Sequence, residues 1–223
     1  MKDTKITNIE ILYDSKTSSY FNLIREDLIS EIPCGPNRIL DIGCGSGATG
    51  FALKQKGKAS YVVGIEISDT MAKIAKNQID IVILGNIEEL QLDLQSEEFD
   101  FILLGDVLEH LINPWEVLNK IKNYLKPNGR IIASIPNVRC WKVLLPLLLK
   151  GNWEYAESGL LDMSHLRFFT KKSMIALFTA AKLKIYKSCA LINKKTKTKY
   201  IDIMTFGFLK EFLTSHYLFV LGK

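Results

Sequence analysis

The sequence lacks any C-x-x-C pair, and its four cysteines are scattered along the chain. Cys34, Cys44, Cys140 and Cys189 have no histidine near them at the spacing of a zinc site. A disulfide framework and a structural zinc site are therefore not indicated. We expect reduced thiols and no bound metal.

Long hydrophobic runs are also missing. The densest apolar stretch, Val143 to Leu149, covers seven residues and contains Pro146, whereas a membrane-spanning helix needs about twenty. The first residues contain no apolar core of a secretory signal. The net charge of +5 is modest and indicates no strong attraction to nucleic acid. These absences predict a cytoplasmic protein without membrane insertion.

What the sequence does contain is an alternation of short apolar runs and amphipathic segments over 223 residues, which is typical of a single α/β domain with helices on both faces of a sheet. Seven strands are predicted, at 38–42, 61–67, 81–84, 99–104, 129–135, 184–192 and 216–221. Helices are predicted at 18–31, 47–56, 70–78, 115–124, 171–181 and around 206–213. We divide this domain into an N-terminal helical cap (1–36), a cofactor-binding core (37–136), a cap insertion over the substrate (137–169) and a C-terminal helix with strands (170–223).

A glycine-rich turn directly follows the first predicted strand. Gly43, Gly45 and Gly47 alternate after it, and residues without a Cβ let the backbone approach a ligand closely. Residues 45–50 match the G-x-G-x-x-G pattern of dinucleotide-binding sites, with Glu66 at the spacing of a ribose-binding acid. Asp41, however, stands at the strand end, where it would repel a pyrophosphate and attract a cationic ligand. A sulfonium cofactor fits this turn better than NAD.

The stretch from Asp41 to Gly47 reads Asp-x-Gly-x-Gly-x-Gly and resembles the first motif of class I S-adenosylmethionine-dependent methyltransferases. The resemblance implies a Rossmann-like, mostly parallel sheet of seven strands with one antiparallel strand at the C-terminal end. It implies S-adenosylmethionine as cofactor and S-adenosylhomocysteine as product. Glu66 is expected on the ribose, Ile67 over the adenine, and Asn86 at the adenine amino group in place of the usual aspartate. The full expected cofactor set is Asp41, Gly43, Cys44, Gly45, Gly47, Glu66, Ile67, Asn86, Ile87, Gly105 and Asp106.

A second resemblance starts at the fourth predicted strand. The segments Leu-Glu-His-Leu (108–111), Asn-Pro (113–114) and Leu-Lys-Pro-Asn-Gly-Arg (125–130) are similar to methyltransferases of the ubiquinone-biosynthesis type. His110 is a candidate catalytic residue, although a histidine in such a turn is more often structural. The Asn/Asp-Pro-Pro-Tyr motif of nucleic-acid amino-methyltransferases is absent here, so no nucleic-acid partner is expected. No tyrosine is followed by a lysine four residues later, which removes the catalytic pair of short-chain dehydrogenases.

The connection from Asn137 to Arg167 is much longer than most loops of α/β domains and is expected to cover the acceptor site. Its end, Gly159 to Thr170, resembles methyltransferases of bacterial surface-glycan synthesis. His165 is a candidate general base, because an imidazole titrates near neutral pH. Candidate acceptor contacts are Tyr20, Trp141 and Arg167, the last for a carboxylate or phosphate.

The predicted reaction is methyl transfer to an oxygen, or less favourably a nitrogen, of a small molecule or glycan precursor, catalysed mainly by positioning. The alternatives are a catalytically silent methyltransferase-like binding module and, with less support, an NAD-dependent oxidoreductase. A monomer or homodimer is expected.

Overall fold

The computed structural model describes residues 23–192 and 209–223. Seven strands form one sheet in the order β3-β2-β1-β4-β5-β7-β6. The strands are β1 (Arg38–Ile42), β2 (Tyr61–Glu66), β3 (Ile81–Leu84), β4 (Phe99–Gly105), β5 (Leu125–Pro136), β6 (Lys184–Ile192) and β7 (Thr214–Gly222). All seven predicted strands are present, with ends shifted by a few residues.

The direction of the strands agrees with the class I arrangement. β1 pairs in parallel with β2 and β4, and β2 with β3 and β4 with β5 are also parallel. β7 lies between β5 and β6 and is antiparallel to both. A single strand therefore runs against the other six, as expected for the C-terminal end of the chain.

The helices among the described residues are α1 (Glu26–Ile29), α2 (Ala48–Gln55), α3 (Asp69–Ala75), α4 (Pro114–Ile121), α5 (Trp141–Lys150), α6 (Lys171–Ala180) and α7 (Lys210–Leu213), with 3₁₀ turns at Leu108–His110 and Lys122–Tyr124. The predicted helix 18–31 is represented by one short turn, and its first residues, 18–22, lie outside the described part. The first residues of the predicted segment 206–213 also lie outside it. Within the two described ranges no helix is long and apolar enough to cross a membrane.

Side-chain hydrogen bonds fix where several of these helices begin. Ser68 accepts a bond from the Met71 amide before α3, at 3.4 Å, and Asn113 accepts one from the Glu116 amide before α4, at 3.3 Å. Thr170 and Ser173 form a reciprocal capping box at α6. The polar residues that marked these starts in the sequence thus satisfy amides that have no partner within the helix.

Helices cover both faces of the sheet because neighbouring strand residues point to opposite sides. Ile39 packs into a cluster with Leu28 of α1 and Leu53 of α2. The next residue, Leu40, belongs to the other cluster, which includes Leu118 of α4. This two-sided burial explains why the central strands are almost continuously apolar.

Candidate functional site

A cavity of about 290 Å³ opens at the carboxyl ends of β1, β2 and β4. Strand order reverses between β1 and β4, which is the place where open α/β sheets bind their ligands. All the predicted cofactor residues except Gly47 line this cavity: Asp41, Gly43, Cys44, Gly45, Glu66, Ile67, Asn86, Ile87, Gly105 and Asp106. The first motif and the ends of three further strands therefore converge on one space.

The glycine turn needs residues that tolerate positive φ. Gly43, Gly45 and Gly47 have φ of 71°, 56° and 81°, a region that residues with a Cβ rarely adopt. The amides of Gly43 and Cys44 both donate to the Ile65 carbonyl, at 2.8 and 3.1 Å. Gly47 lies beside the cavity's lining rather than in it and forms the N-cap of α2.

Glu66 connects the end of β2 to the turn. Its carboxylate accepts hydrogen bonds from the Gly45 amide at 2.8 Å and from the Ser68 amide at 2.9 Å. The side chain is buried, yet it faces the cavity. An ionised carboxylate accepts several hydrogen bonds, so these two amide bonds are compatible with hydroxyl groups donating from a ligand.

Asp41 is an acidic residue of the cavity whose pKa lies above its ordinary value. Burial, with a further contribution from the neighbouring charge of Glu66, raises the pKa of Asp41 to about 7, although the charge of Arg25 opposes the rise. Asp41 is thus poised to ionise when a cation enters, because a nearby positive charge favours the charged carboxylate. A cofactor with an ammonium and a sulfonium meets this requirement.

Arg25 is a cavity residue that sequence reasoning missed. Its Nη1 lies 2.8 Å from Asp106 Oδ2 and its Nη2 lies 2.8 Å from Asp27 Oδ2. Burial alone would lower the pKa of Arg25, but the charges of Asp106 and Asp27 raise it above its ordinary value, so the guanidinium stays charged. The partner Asp106 is far away in sequence, and no local pattern around Arg25 indicates that contact.

Asp106 is held from both sides directly after β4. Ser134 Oγ donates to its Oδ1 at 3.0 Å, and Arg25 donates to the other oxygen. Its φ of 57° is left-handed, a conformation that aspartate tolerates better than most residues. The neighbouring position, Gly105, has no room for a side chain. A Cβ added there would lie 3.1 Å from Arg25 Nη1 and 2.9 Å from Leu28 Cδ1.

The side chain of Asn86 also forms a hydrogen bond within the protein. Its Oδ1 accepts from the Glu88 amide at 3.0 Å, which closes a turn after β3. The residue lines the cavity, but the expected bond to an adenine amino group would have to share this oxygen.

Glu109, His110 and His165 form a buried cluster next to the cavity. The two imidazole rings are 4.7 Å apart, edge to face, and His165 Nε2 lies 3.9 Å from Glu109 Oε1. His110 lines the cavity, whereas the other two lie behind it. Burial and the charge of Asp106 raise the pKa of Glu109 well above its ordinary value.

The side chains of Trp141 and Arg167, two of the predicted acceptor residues, do not join this cluster. Trp141 lies at the start of α5 with 45% of its surface exposed. Arg167 donates to the Ile112 carbonyl and stacks near Trp115. Neither lines the cavity, and Tyr20 lies outside the described residues. The insertion 137–169 approaches the site through His165 and Ser164, whose carbonyl contacts His110.

Comparison with known proteins adds three likenesses. A family model described as a methyltransferase domain matches residues 19–188. An uncharacterized protein of Methanocaldococcus jannaschii is 35% identical over 126 residues, which cover 56% of this chain and 53% of that protein. A ubiquinone biosynthesis O-methyltransferase of Xylella fastidiosa is 33% identical over 124 residues, or 52% of this chain and 49% of that protein. The chain spans about half the length of these curated relatives.

Among solved structures, an S-adenosylmethionine-dependent methyltransferase of Thermotoga maritima is similar, with a TM-score of 0.68 and 19% identity over 96% of this chain and 99% of that one. At this identity the likeness concerns the fold.

Proposed function

The chain belongs to the methyltransferase domain family, whose model matches most of it, and from this premise we propose that it transfers the methyl group of S-adenosylmethionine to an oxygen of a small molecule or glycan precursor. The observation that carries this proposal is the cavity itself. Its lining combines the glycine turn with Asp41, Glu66 and Asp106 and with the guanidinium of Arg25. These residues carry charges opposite to those of the sulfonium, ammonium and carboxylate groups of the cofactor.

The residues take complementary roles in binding that cofactor. Asp41 and Asp106 offer negative charge to the sulfonium and ammonium groups, and Arg25 offers positive charge to the carboxylate of the methionine part. The Glu66 carboxylate accepts hydrogen bonds from the ribose hydroxyls. Ile67 and Ile87 supply apolar surface for the adenine.

Oxygen is favoured as the acceptor because the Xylella fastidiosa relative is named an O-methyltransferase. Transfer is direct: the oxygen of an acceptor hydroxyl attacks the methyl carbon, the carbon–sulfur bond breaks with its electron pair staying on the sulfur of S-adenosylhomocysteine, and the hydroxyl proton is released to water. Holding donor and acceptor at attack distance lowers the barrier by about 7–11 kcal/mol in favourable cases. His110 is the cluster residue that lines the cavity, and we propose that it contacts the acceptor.

The first test is calorimetric titration of the protein with S-adenosylhomocysteine, run beside NADH and repeated on Glu66→Ala. We expect one-to-one binding of S-adenosylhomocysteine that the variant loses, and no binding of NADH. Binding of NADH alone would restore the dinucleotide hypothesis.

The second test is a screen of hydroxyl-bearing acceptors with methyl-labelled S-adenosylmethionine. Transfer of label to an oxygen supports the proposal. Tight cofactor binding together with no transfer to any acceptor class would favour a silent binding module.

A further inference from the structure

We propose that Glu109, His110 and His165 bind a divalent first-row transition-metal cation, such as Zn²⁺, beside the cavity. Each residue offers one atom of a type that binds metals, and these three atoms lie within 4.8 Å of one another. Two imidazoles and one carboxylate form a ligand set that proteins use for such cations. The role of the cation in catalysis rests on the proposed methyl transfer, whereas its binding does not.

The ligand atoms are nearly at coordination distance. Two ligands of tetrahedral Zn²⁺ are about 3.4 Å apart when each lies about 2.1 Å from the metal. His165 Nε2 and Glu109 Oε1 are already 3.9 Å apart. This pair must approach by about 0.5 Å, and no pair of the three ligand atoms, which lie within 4.8 Å of one another, must approach by more than about 1.4 Å.

Both imidazoles are oriented as metal ligands usually are. His110 Nδ1 lies 3.0 Å from the Ser164 carbonyl, and His165 Nδ1 lies 3.3 Å from the Leu160 carbonyl. A carbonyl only accepts, so Nδ1 carries the proton in each ring and Nε2 carries the lone pair that a metal needs. Metal-bound histidines commonly donate their second nitrogen to a backbone carbonyl in this way.

Glu109 supplies the independent observation that a ligand is required. Its side chain is 0% exposed, and neither carboxylate oxygen has a hydrogen-bond partner in the described part of the chain. A buried carboxylate that is ionised needs compensation by a cation or by hydrogen bonds, and a bound cation would favour that ionised form. Its backbone is fixed as well, because the Glu109 carbonyl accepts from the amides of Leu166 and Arg167 at 2.9 Å each. The carboxylate is thus held in the cluster by the insertion that brings His165.

The position suggests how the cation would serve methyl transfer. His110 connects the cluster to the cavity lining, so an acceptor hydroxyl can bind the cation from the cavity side. A bound cation would lower the pKa of the hydroxyl, as it does for metal-bound water, and favour release of its proton to water. The hydroxyl oxygen would then form its bond to the methyl carbon as the carbon–sulfur bond breaks.

The test uses the full chain, stripped with a chelator and dialysed, then titrated with Zn²⁺ in competition with a chromophoric chelator. We expect one Zn²⁺ per chain, and binding weakened at least about tenfold in Glu109→Gln and in His165→Asn. His216→Asn is the matched control: His216 is the remaining histidine of the chain, it lies on β7 outside the cluster, and we expect unchanged affinity. Mg²⁺ should bind much more weakly, because imidazole suits zinc better.

The melting temperature of each variant establishes whether it is folded. If Glu109→Gln does not fold, the conclusion is drawn from His165→Asn. Stoichiometric Zn²⁺ binding that survives either folded variant would overturn the cation site, as would no binding to the parent chain. S-adenosylhomocysteine is titrated into the same samples. Cofactor binding without Zn²⁺ binding counts against the cation site alone, and Zn²⁺ binding without cofactor binding counts against the proposed function alone.

Discussion

Glu66 holds the glycine turn in place through Gly45, whose amide donates to Glu66 Oε2 at 2.8 Å. The other oxygen accepts from the Ser68 amide at the start of α3. One side chain at the end of β2 thereby fixes both the turn after β1 and the helix after β2. The residue expected to bind the ribose is also part of the scaffold of the cavity.

The Glu66→Gln substitution should therefore destabilise the protein less than Glu66→Ala does, but its effect should still be measurable. The amide of glutamine keeps one acceptor oxygen, while its NH₂ group faces an amide that also donates. An unsatisfied buried group of this kind costs about 1–3 kcal/mol. We expect the free energy of unfolding, measured with urea, to fall in both variants, and affinity for S-adenosylhomocysteine to fall at least about tenfold in Glu66→Ala. Equal affinity of the alanine variant and the parent chain would remove Glu66 from the binding site.

A substitution at Gly64 tests how closely the glycine turn packs against β2. A Cβ at this position would lie 2.5 Å from Cys44 Sγ and 2.6 Å from Ile79 Cδ1. Overpacking of this kind destabilises a core by about 1–3 kcal/mol, so Gly64→Ala should lower the melting temperature and displace Cys44 from the cavity lining.

Gly57→Asn is the control for the Gly64 variant. Gly57 has φ +64° and no atom within 4 Å of an added Cβ, and asparagine tolerates this conformation. We expect a small change in melting temperature. A loss as large as that of Gly64→Ala would mean that crowding is not the cause.

Arg25 and Asp106 should be coupled energetically across the cavity. Contacting residues in one ion-pair network show coupling of about 0.5–3 kcal/mol, and this pair is only partly exposed, with 14% and 30% of the side chains accessible. A double-mutant cycle with Arg25→Met and Asp106→Asn, measured by urea unfolding, checks this. Asparagine is chosen because it tolerates the positive φ of Asp106. Additive effects of the two substitutions would show that the ion pair contributes nothing.

The strands and the cofactor turn could be predicted because their signals are local. Apolar runs mark β1 and β2, glycines mark the turn, and Asp41 stands directly before it. Capping residues such as Thr170 mark helix starts through contacts within one turn. Such features depend on neighbours in sequence, which periodicity and motifs reveal.

The contacts that were missed join residues far apart in the chain. Arg25 meets Asp106, and His165 meets Glu109 and His110. The expectation of no bound metal came from sequence spacing around the cysteines and stays a prediction, which the proposed cation site opposes. Sequence spacing does not detect a histidine that the insertion brings back to the 3₁₀ turn. The positions of Trp141 and Arg167 depend in the same way on how the insertion folds.

Asp41 should make cofactor affinity depend on pH. Its pKa of about 7 in the free protein lies above the ordinary 3.8, so the folded chain holds this proton more tightly than the unfolded chain. The resulting stability is fully present below about pH 4 and is lost as the pH rises toward 7. An ammonium group entering the cavity favours the ionised carboxylate, so affinity for S-adenosylhomocysteine should increase as the pH rises to about 7.

Calorimetry between about pH 5 and about pH 7.5, below the ordinary pKa of an α-amino group, measures this dependence. Far below the pKa, each pH unit should change the affinity by up to about tenfold, which is 1.36 kcal/mol. Asp41→Asn cannot ionise, so its affinity should be weaker at pH 7.5 and nearly flat with pH. Parallel profiles in the two proteins would assign the dependence to another acid, and Glu109, whose pKa is also raised by burial, would then be the group to replace next. A flat profile in the parent chain would mean instead that the ammonium group does not lie near Asp41.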